Sequence, residues 1–460
     1  MQLKEWFKII SIMPGIDKRI FKTYDVRGTY PDQLNEEAAE IIGTALGSSF
    51  GRGPVAIGRD VRLSSESLFN ALARGLMKAG TDIHDLGLVP IDAVYFSIYG
   101  LRYSGAVMVT ASHNPKEYNG FKVVKGGMEW VWGKDVEKLV ERPAAFASGA
   151  GKMSQFNIWP KFLNHLFSLI DISKIKPFRV VVDAGNGLAG QVVPRLEERL
   201  PIKVIPMFFE PDGNFPNHPP NPLLPESQVA ICERVLAEGA DFGVIFDADT
   251  DRIFFVDENG EFIRADMTLL LLARMMLDRE PGAAVVYNVI CSKMVREQIK
   301  EWGGQPIRSP VGYANMTANM KEHNAVMSGE LSSHYTFRET GNSDSGFVAF
   351  LMLLQIMSEA GRPLSELISP FMKYAKGDEI NFPLELASPE NVILALEEKY
   401  NDGKRDKLDG LTVEYRDWWF NARPSNTEPL LRVTVEADTS ELLKEKQKEL
   451  SEFINKLVTH

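Results

Sequence analysis

An α/β protein is predicted, built from three successive α/β units and a smaller α+β unit at the C-terminal end. Short apolar runs typical of buried strands alternate with segments of helical periodicity over residues 1–374, whereas residues 375–460 combine strand-like runs with one charged amphipathic helix. A length of 460 residues agrees with about three domains of roughly 150 residues, and equally with four smaller ones. Chemistry is expected in the loops that follow the strands, where α/β proteins place it.

The first unit, residues 1–155, is predicted to present a reactive serine. Residues 36–47 have helical periodicity, and residues 106–109 form a short β-branched apolar run that predicts a buried strand. The segment TASHNP, residues 110–115, follows this strand directly. Because the strand fixes the start of the loop, Ser112 is a candidate nucleophile or phosphate carrier. The alternative is a polar turn in which serine and asparagine bond their own backbone before the proline.

The second unit, residues 156–259, is predicted to bind a divalent cation. A buried strand at residues 242–246 leads into DADTDR, which places Asp247, Asp249 and Asp251 at alternate positions of a loop. Such a loop can direct three hard oxygen ligands at one cation, and three crowded anions are costly without one. An EF-hand calcium loop is the rival, but it needs glycine where this chain has Arg252, and helices where this chain has strand patterns. A metal-free acidic turn is the other alternative.

The third unit, residues 260–374, is predicted to bind sugar hydroxyls. A short strand at residues 325–327 leads into SGELSSHY, in which Glu330, Ser332 and His334 alternate along one polar surface. Any loop can hold such residues, so this signal is weak by itself. An apolar helix is predicted from residue 347 onward, with Asp344 or Ser343 as its N-cap.

The last unit, residues 375–460, is predicted to bind a phosphate group. Between two strand-like runs lies RPSNTEP, residues 423–429, and a further arginine follows shortly after it. Arginine forks, hydroxyls and turn amides in one short loop suit a tetrahedral dianion. The residues concerned are Arg423, Ser425, Asn426, Thr427 and Arg432. The alternative is a surface turn with unconnected arginines.

The charge balance excludes several classes of partner. The net charge is −11 and the isoelectric point is near 5.3, so the average surface repels nucleic acid and anionic membranes.

The two cysteines, Cys232 and Cys291, are far apart, which favours a reducing compartment. No apolar stretch reaches the ~20 residues of a spanning helix, and the N-terminus lacks the features of a signal peptide. A cytoplasmic protein with no nucleic-acid or membrane partner is predicted.

TASHNP, DADTDR, GELSSH and RPSNTEP occur in this order over essentially the whole chain, and they resemble the four signature loops of the α-D-phosphohexomutase family. The resemblance is closest to the phosphomannomutase/phosphoglucomutase branch. It implies three similar mixed-sheet α/β domains and a smaller α+β C-terminal domain around a central cleft. It also implies a mutase that interconverts hexose 1-phosphate and hexose 6-phosphate, of mannose or glucose, through a phosphoserine enzyme and a hexose 1,6-bisphosphate intermediate. The implied cofactor is Mg²⁺, the implied partner is a small-molecule phosphosugar, and the implied state is a monomer or a weak homodimer.

Roles for single residues follow from the same resemblance. The implied catalytic residues are Ser112, His113, Lys122, His334, Arg252 and Arg27. The implied metal ligands are Asp247, Asp249 and Asp251, together with an oxygen of the Ser112 phosphate. The implied substrate-binding residues are Tyr24, Glu330, Ser332, His334, Arg423, Ser425, Asn426, Thr427 and Arg432. Among all of these, Lys122 and His334 are the candidates for accepting or donating the hydroxyl proton.

Three positions differ from residues that are common in the resembled branch. Relatives often carry a lysine at the position of Ile290 and a histidine at the position of Tyr313, and both positions would face the substrate. Ser333 replaces the glycine of the sugar loop. A mutase for glucosamine phosphate or for another phosphosugar, and a phosphatase-like relative, are therefore alternatives. A non-catalytic phosphosugar sensor is less favoured, because a sensor has no need of a phosphorylatable serine.

Overall fold

The computed structural model describes residues 16–50, 53–142, 150–384, 388–425 and 429–458. Within these ranges the chain forms four sheets, which follow one another along the sequence, and the second sheet ends at residue 263, four residues beyond the predicted second unit. The first three sheets mix parallel and antiparallel strands and are flanked by helices, and the fourth is antiparallel. The predicted architecture of three α/β domains and a smaller C-terminal α+β domain is confirmed.

The first domain contains a seven-stranded sheet. Its strands are β1 (Val26–Thr29), β2 (Val55–Arg59), β3 (Ile83–Leu88), β4 (Gly105–Val109), β5 (Tyr118–Lys125), β6 (Glu129–Val131) and β7 (Met153–Gln155). Its α-helices are Glu36–Gly47, Ser65–Lys78, Ile91–Tyr99 and Gly133–Glu141. The strand order is β1-β5-β4-β2-β3-β7, with β6 beside β5. The helix predicted over residues 36–47 is confirmed, and Asn35 caps it by accepting a 3.0 Å hydrogen bond from the Ala38 N–H.

The second and third domains each contain a five-stranded sheet. The strands of the second are β8 (Phe178–Asp183), β9 (Ile202–Met207), β10 (Phe242–Phe246), β11 (Ile253–Val256) and β12 (Phe262–Ile263). The strands of the third are β13 (Ala284–Asn288), β14 (Gln305–Ser309), β15 (Met327–Gly329), β16 (Tyr335–Phe337) and β17 (Ser343–Asp344). The α-helices are Trp159–Ser168, Ala189–Glu197, Pro225–Glu238, Ala265–Arg279, Lys293–Glu301, Tyr313–Glu322, Gly346–Ala360 and Leu364–Ile368. The strand orders are β12-β11-β10-β8-β9 and β14-β13-β15-β16-β17.

The three α/β sheets share one topological feature that positions the site. In each sheet one strand has a parallel neighbour on one side and an antiparallel neighbour on the other; these strands are β4, β10 and β15. The antiparallel neighbour is the next strand in the sequence, which is β5, β11 and β16 respectively. The loops TASHNP, DADTDR and GELSSH begin at or near the ends of β4, β10 and β15. Three different sequences therefore occupy one equivalent place in three similar sheets.

The C-terminal domain is built on an antiparallel sheet. Its strands are β18 (Ala375–Lys376), β19 (Ile380–Pro383), β20 (Lys404–Asp406), β21 (Leu411–Glu414), β22 (Trp418–Pro424) and β23 (Leu430–Ala437). Its α-helices are Pro389–Lys399 and Ser440–Val458. The strand order is β18-β23-β22-β21-β20, with β19 also beside β23. The predicted phosphate loop, RPSNTEP (residues 423–429), lies between β22 and β23 in the sequence, and these two strands are at the centre of the sheet.

One apolar core extends through the first three domains, the first domain has a second core as well, and the C-terminal domain has a core of its own. The helix Gly346–Ala360 lies at the centre of the shared core, and its Phe347 ring stacks on the Phe246 ring of the second domain at 4.9 Å. The predicted N-cap of this helix is wrong. Ser345 is the cap and accepts a 3.2 Å hydrogen bond from the Val348 N–H, because Ser343 and Asp344 are paired in β17.

Membrane-spanning potential is restricted to one bent pair of helices. Across the described ranges, no single helix combines the length and the apolar composition needed to cross a membrane. The helix Gly346–Ala360 and the segment Leu364–Phe371 pass that test only when they are counted together, and they meet at 92°.

Candidate active site

Ser112 lies buried at the end of β4, with its side chain directed at the second domain. Its Oγ donates a 2.8 Å hydrogen bond to Oδ2 of Asp247 and lies 3.3 Å from Nδ1 of His113. The backbone of Ser112 is left-handed, with φ of 48°. For a residue other than glycine, such a conformation costs on the order of 1–3 kcal/mol and persists only when its surroundings hold it. The loop is therefore fixed in a conformation that aims the serine hydroxyl at a carboxylate.

The three alternate aspartates of the second domain form a compact buried cluster. Asp247, Asp249 and Asp251 each contribute a carboxylate oxygen, and these oxygens lie within 4.8 Å of one another. Burial and the two neighbouring carboxylates raise the pKa of Asp247 well above its usual range. One buried oxygen of Asp249 and one of Asp251 have no hydrogen-bond partner in the part of the chain that the structure describes. Unpartnered hard oxygens that converge in this way fit a divalent cation such as Mg²⁺.

Two cationic side chains lie against this cluster. Nζ of Lys122 lies 3.1 Å from Asp249 and 2.5 Å from Asp251. Burial lowers the pKa of Lys122, but these two carboxylates outweigh burial and raise the pKa above its ordinary value. Nε of Arg252 lies 4.0 Å from Oδ2 of Asp247. The acidic cluster is thus partly neutralised by the protein itself.

Arg27 and His113 border the serine from the first domain. Arg27 lies inside the edge strand β1, donates a 2.5 Å hydrogen bond to Oδ1 of Asn114, and pairs with Asp25. Burial lowers the pKa of His113 well below its usual range, and the positive charges of Arg252 and Arg27 lower it further. The neutral form of the His113 imidazole is therefore favoured beside these two arginines.

The predicted sugar loop, GELSSH (residues 329–334), directly contacts the acidic loop, DADTDR (residues 247–252). Arg252 and His334 form an isolated antiparallel bridge, and Nε of Arg252 lies 3.2 Å from Nε2 of His334. On the other side of the imidazole, Nδ1 lies 2.9 Å from Oγ of Ser332 and 3.6 Å from a carboxylate oxygen of Glu330. Glu330 also accepts a 3.1 Å hydrogen bond from the Gly312 N–H. These contacts bring the predicted hydroxyl-binding side chains together around His334.

Ser333 takes the place of a glycine at the middle of this loop. Its φ is 67°, and its buried hydroxyl bonds the Ile253 carbonyl and lies 3.0 Å from the Tyr335 hydroxyl. The side chain therefore fastens the sugar loop to the start of β11 and does not face the cleft.

Tyr313 lies in an aromatic group between the first and third domains. Its ring packs edge-on against Trp130 at 4.7 Å and lies 6.5 Å from the ring of His334. Tyr24 reaches the same region. Its hydroxyl lies so close to Gly312 that a Cβ on this glycine would be 2.1 Å from the hydroxyl oxygen, and the Tyr24 ring packs edge-on against Trp132 at 6.2 Å. Ile290, the other departure from the resembled branch, is buried.

Two arginines of the predicted phosphate site are paired with an acidic residue that sequence reasoning missed. Glu379 accepts hydrogen bonds from Nη2 of Arg423 at 2.8 Å and from Nη1 of Arg432 at 3.4 Å. It comes just before β19, which runs antiparallel to β23 with Asn381 opposite Arg432. Ser425 closes the loop by a 2.8 Å hydrogen bond from its N–H to the Leu430 carbonyl. The predicted members Asn426 and Thr427 lie outside the described residues.

Four further buried charged residues surround the site without having been predicted as part of it: Asp60, Arg62, Asp92 and Asp344. Asp92 bonds the hydroxyl of Ser345, and burial raises its pKa to about 8. Asp344 lies 3.9 Å from Nε2 of His334. Asp60 and Arg62 follow the end of β2, so the rule about strand ends that singled out Ser112 applies to them as well.

Family models match four consecutive parts of the chain. Residues 18–142, 160–260 and 264–374 match the phosphoglucomutase/phosphomannomutase alpha/beta/alpha domains I, II and III. Residues 379–453 match the phosphoglucomutase/phosphomannomutase C-terminal domain. The match to all four domains, in order, follows the four sheets described above.

Similar full-length proteins carry mutase names. A phosphohexose mutase of Xanthomonas campestris is 40% identical over 94% of this chain and 98% of its own length. A phosphomannomutase/phosphoglucomutase of Pseudomonas aeruginosa is 39% identical over 94% of both chains, and a phosphomannomutase of Escherichia coli is 37% identical over 91% of this chain and 94% of its own. A crystal structure of a phosphoglucomutase/phosphomannomutase family protein from Burkholderia thailandensis superposes with a TM-score of 0.88 at 33% identity, covering 96% of this chain and 98% of that one.

Proposed function

Because this chain belongs to the phosphoglucomutase/phosphomannomutase family of mutases, we propose that it moves phosphate between C1 and C6 of mannose or glucose with Ser112 as the phosphoryl carrier. The observation that carries the proposal is the 2.8 Å hydrogen bond from the Ser112 hydroxyl to Asp247, a member of the buried carboxylate cluster. A hydroxyl held against a cation-binding cluster is suited to receive and release a phosphoryl group. The Ser112 phosphate and the cluster would share one Mg²⁺, which neutralises phosphate charge when it is bound.

The proposed reaction has two transfers. In the first, the bond from phosphorus to Oγ of Ser112 breaks, a bond from phosphorus to the free hydroxyl oxygen of the hexose monophosphate forms, and a hexose 1,6-bisphosphate results. The sugar hydroxyl loses a proton, and the Ser112 oxygen gains one. In the second transfer, the other phosphate of the bisphosphate returns to Ser112 by the reverse steps. Lys122 and His334 are the proposed groups for moving these protons, since each lies within 4 Å of the carboxylate cluster.

The negative charge on the transferred phosphoryl group raises the energy barrier of such a reaction, and positive side chains lower the barrier by stabilising this charge. Arg252 and Arg27 are proposed to share this charge with the cation. Arg252 also contacts His334, so one guanidinium joins the phosphoryl centre to the sugar loop. His113, held neutral, adds no charge and can still donate or accept a hydrogen bond beside Ser112.

Binding of the sugar is proposed to use two surfaces that lie away from the transferred group. Glu330 and Ser332 would bind ring hydroxyls, with Tyr24 at the border of the cleft. The phosphate that does not react would be bound by Arg423, Ser425, Asn426, Thr427 and Arg432. Binding energy from these remote contacts can hold the reacting hydroxyl in line with the phosphoryl group. The protein is proposed to work in the cytoplasm as a monomer or a weak homodimer, and its two cysteines are both free thiols.

Phosphorus NMR tests the proposal. Mannose 1-phosphate, glucose 1-phosphate and glucosamine 1-phosphate are each incubated with the protein, Mg²⁺ and a trace of the matching 1,6-bisphosphate. Conversion of the mannose or glucose compound to its 6-phosphate is expected, with loss of conversion in Ser112→Ala. Release of inorganic phosphate alone would overturn the mutase in favour of a hydrolase, and conversion of the glucosamine compound alone would overturn the sugar assignment.

A further inference from the structure

Arg62 forms a buried anchor behind the serine loop. Its side chain has no exposure to solvent, and all five of its guanidinium N–H groups have partners. Four of them donate to backbone carbonyls, three in the serine loop and one at the start of β5. These carbonyls belong to Ser112 (2.7 Å), Asn114 (2.6 Å), Pro115 (2.7 Å) and Tyr118 (3.0 Å). The loop is therefore wrapped around one planar cation.

The fifth N–H connects this anchor to the carboxylate cluster. Nε of Arg62 donates to Oδ2 of Asp60 at 3.1 Å, and the same carboxylate oxygen accepts a 2.8 Å hydrogen bond from the Thr110 hydroxyl. The Thr110 oxygen in turn accepts a 2.9 Å hydrogen bond from the Ser112 N–H and lies 3.1 Å from Oδ2 of Asp249. A continuous buried network thus joins Arg62 to the Ser112 backbone in the first domain and to the Asp249 carboxylate in the second.

The second domain covers the anchor from behind. The guanidinium carbon of Arg62 lies 5.2 Å from the centre of the Phe215 ring. The Phe215 loop can approach the Arg62 backbone closely because residue 213 is glycine. A Cβ at this position would lie 2.5 Å from the Val61 carbonyl oxygen and 2.8 Å from Cα of Arg62. The loop that bears Phe215 therefore shields the guanidinium from water at a point where the first two domains meet.

We propose that Arg62 is a positioning residue for phosphoryl transfer: it holds the serine loop in the left-handed conformation that aims Ser112 at the carboxylate cluster, and Phe215 protects this arrangement. The inference rests on the proposed role of Ser112 as phosphoryl carrier. Arginine is required by geometry, because a planar fork reaches four carbonyls at once whereas the ammonium group of lysine offers three donors from one point. Loss of the fork leaves buried carbonyls unpaired and frees the loop to leave its strained conformation.

The test compares Arg62→Lys with Arg59→Lys. Arg59 is a matched control, because it lies on β2 near the same strand end, pairs with Glu66 and Asp85 and stacks on Phe69 at 4.4 Å, without a bond to the serine loop. The expected result for Arg62→Lys is a fall in kcat of about 10²-fold, the effect of misplacing a reacting group by about 1 Å. KM should stay near the wild-type value, because the sugar and phosphate contacts are untouched. Arg59→Lys should keep the wild-type kcat.

A second readout separates positioning from a general loss of structure. Intact-mass analysis after incubation with hexose 1,6-bisphosphate measures the rate at which Ser112 becomes phosphorylated, and this rate should fall with kcat in Arg62→Lys at an assay temperature well below the unfolding of the variant. Equal kcat values in the two lysine variants would overturn the proposal. If Arg62→Lys does not fold, Phe215→Ala decides, because it keeps Arg62 and exposes it to water. A reduced kcat at unchanged KM is then expected, and a wild-type kcat would overturn the inference.

The proposed function is tested separately by Ser112→Ala. If that variant keeps its mutase activity, the role of Ser112 is wrong, whatever the arginine variants show. If Ser112→Ala is inactive and Arg62→Lys is fully active, the role of Ser112 stands and the anchor is wrong.

Discussion

Nε of Arg252 lies 3.2 Å from Nε2 of His334. One residue follows the carboxylate run of the second domain and the other ends the sugar loop of the third, so this contact fixes two loops from different domains against each other. The hydrogen bond from Ser112 to Asp247 does the same for the first and second domains.

Replacing Ser112 by alanine should abolish turnover while leaving substrate binding in place. We expect kcat to fall by several orders of magnitude, as in other enzymes that lose a nucleophile, and the affinity for hexose phosphate measured by calorimetry to stay within a few-fold. Ser104→Ala is the control, because the Ser104 hydroxyl bonds the backbone carbonyls of residues 53 and 54, outside the site. Loss of affinity in proportion to activity would contradict the assignment.

Replacing Asp249 by asparagine should weaken Mg²⁺ binding. The variant loses one anionic oxygen from the cluster, and we expect the Mg²⁺ concentration that gives half-maximal activity to rise at least about tenfold. Titration of Mg²⁺ against activity and by calorimetry measures the change. Asp257→Asn is the control, since Asp257 is buried beyond β11 and bonds the backbone of residues 259 and 261. An unchanged Mg²⁺ requirement would show that the cluster does not hold the catalytic cation.

Replacing Arg423 by alanine should raise KM more than it lowers kcat. A hydrogen bond to a charged group contributes about 1.5–3 kcal/mol, which corresponds to roughly a 10- to 100-fold weaker binding of the phosphate that does not react. Steady-state kinetics over a range of hexose 1-phosphate concentrations gives both constants. Arg405→Ala removes a half-exposed arginine of the same domain that pairs with Glu397, and it should leave KM unchanged. An unchanged KM in Arg423→Ala would contradict the phosphate-binding role.

The stability of the second domain should depend on the charge of His218. Nε2 of this buried histidine lies 3.2 Å from both carboxylate oxygens of Asp183, and Nδ1 lies 2.8 Å from the Pro219 carbonyl. Burial lowers the pKa of His218, but the bonds and charge of Asp183 outweigh burial and raise it above its ordinary value of 6.5. The protonated form is therefore favoured in the folded protein. Its stabilising effect is complete below about pH 6.5 and is lost as the pH rises through the higher pKa of the folded state.

Thermal unfolding as a function of pH checks this prediction. The melting temperature of wild type minus that of His218→Gln should be largest in acid and should shrink as the pH rises above about 6.5. His323→Gln is the control, because His323 is exposed at the end of a helix. A difference that is constant with pH would mean that His218 stabilises the domain only by packing.

The sequence was most informative where the candidate residues lie on the loop that follows a single strand. Ser112 and the three aspartates directly follow buried apolar strands, so a local pattern located them, and the structure brings them together. The cap of the helix Gly346–Ala360 could not be chosen correctly in this way. Asp344 has good capping chemistry, but its pairing in β17 leaves that role to Ser345. Tertiary pairing outweighed a local preference.

Residues whose partners are distant in sequence were not predictable from local patterns. Arg62 is 50 positions from Ser112, and Glu379 is 44 positions from Arg423. In each case the contact exists because strands that are far apart in the chain lie side by side, as β2 and β4 do in the first sheet. A single sequence shows the two charged residues but not the register that brings them together.

The separate core of the C-terminal domain has a mechanical consequence. The first three domains share one apolar core, whereas ion pairs link the fourth domain to the third. In each of three such pairs the basic partner, Lys293, Arg296 or Arg308, belongs to the third domain and the acidic partner belongs to the fourth. Dissolved salt screens ion pairs of this kind and so weakens them. A rise in ionic strength is therefore expected to loosen the contact between the C-terminal domain and the third domain.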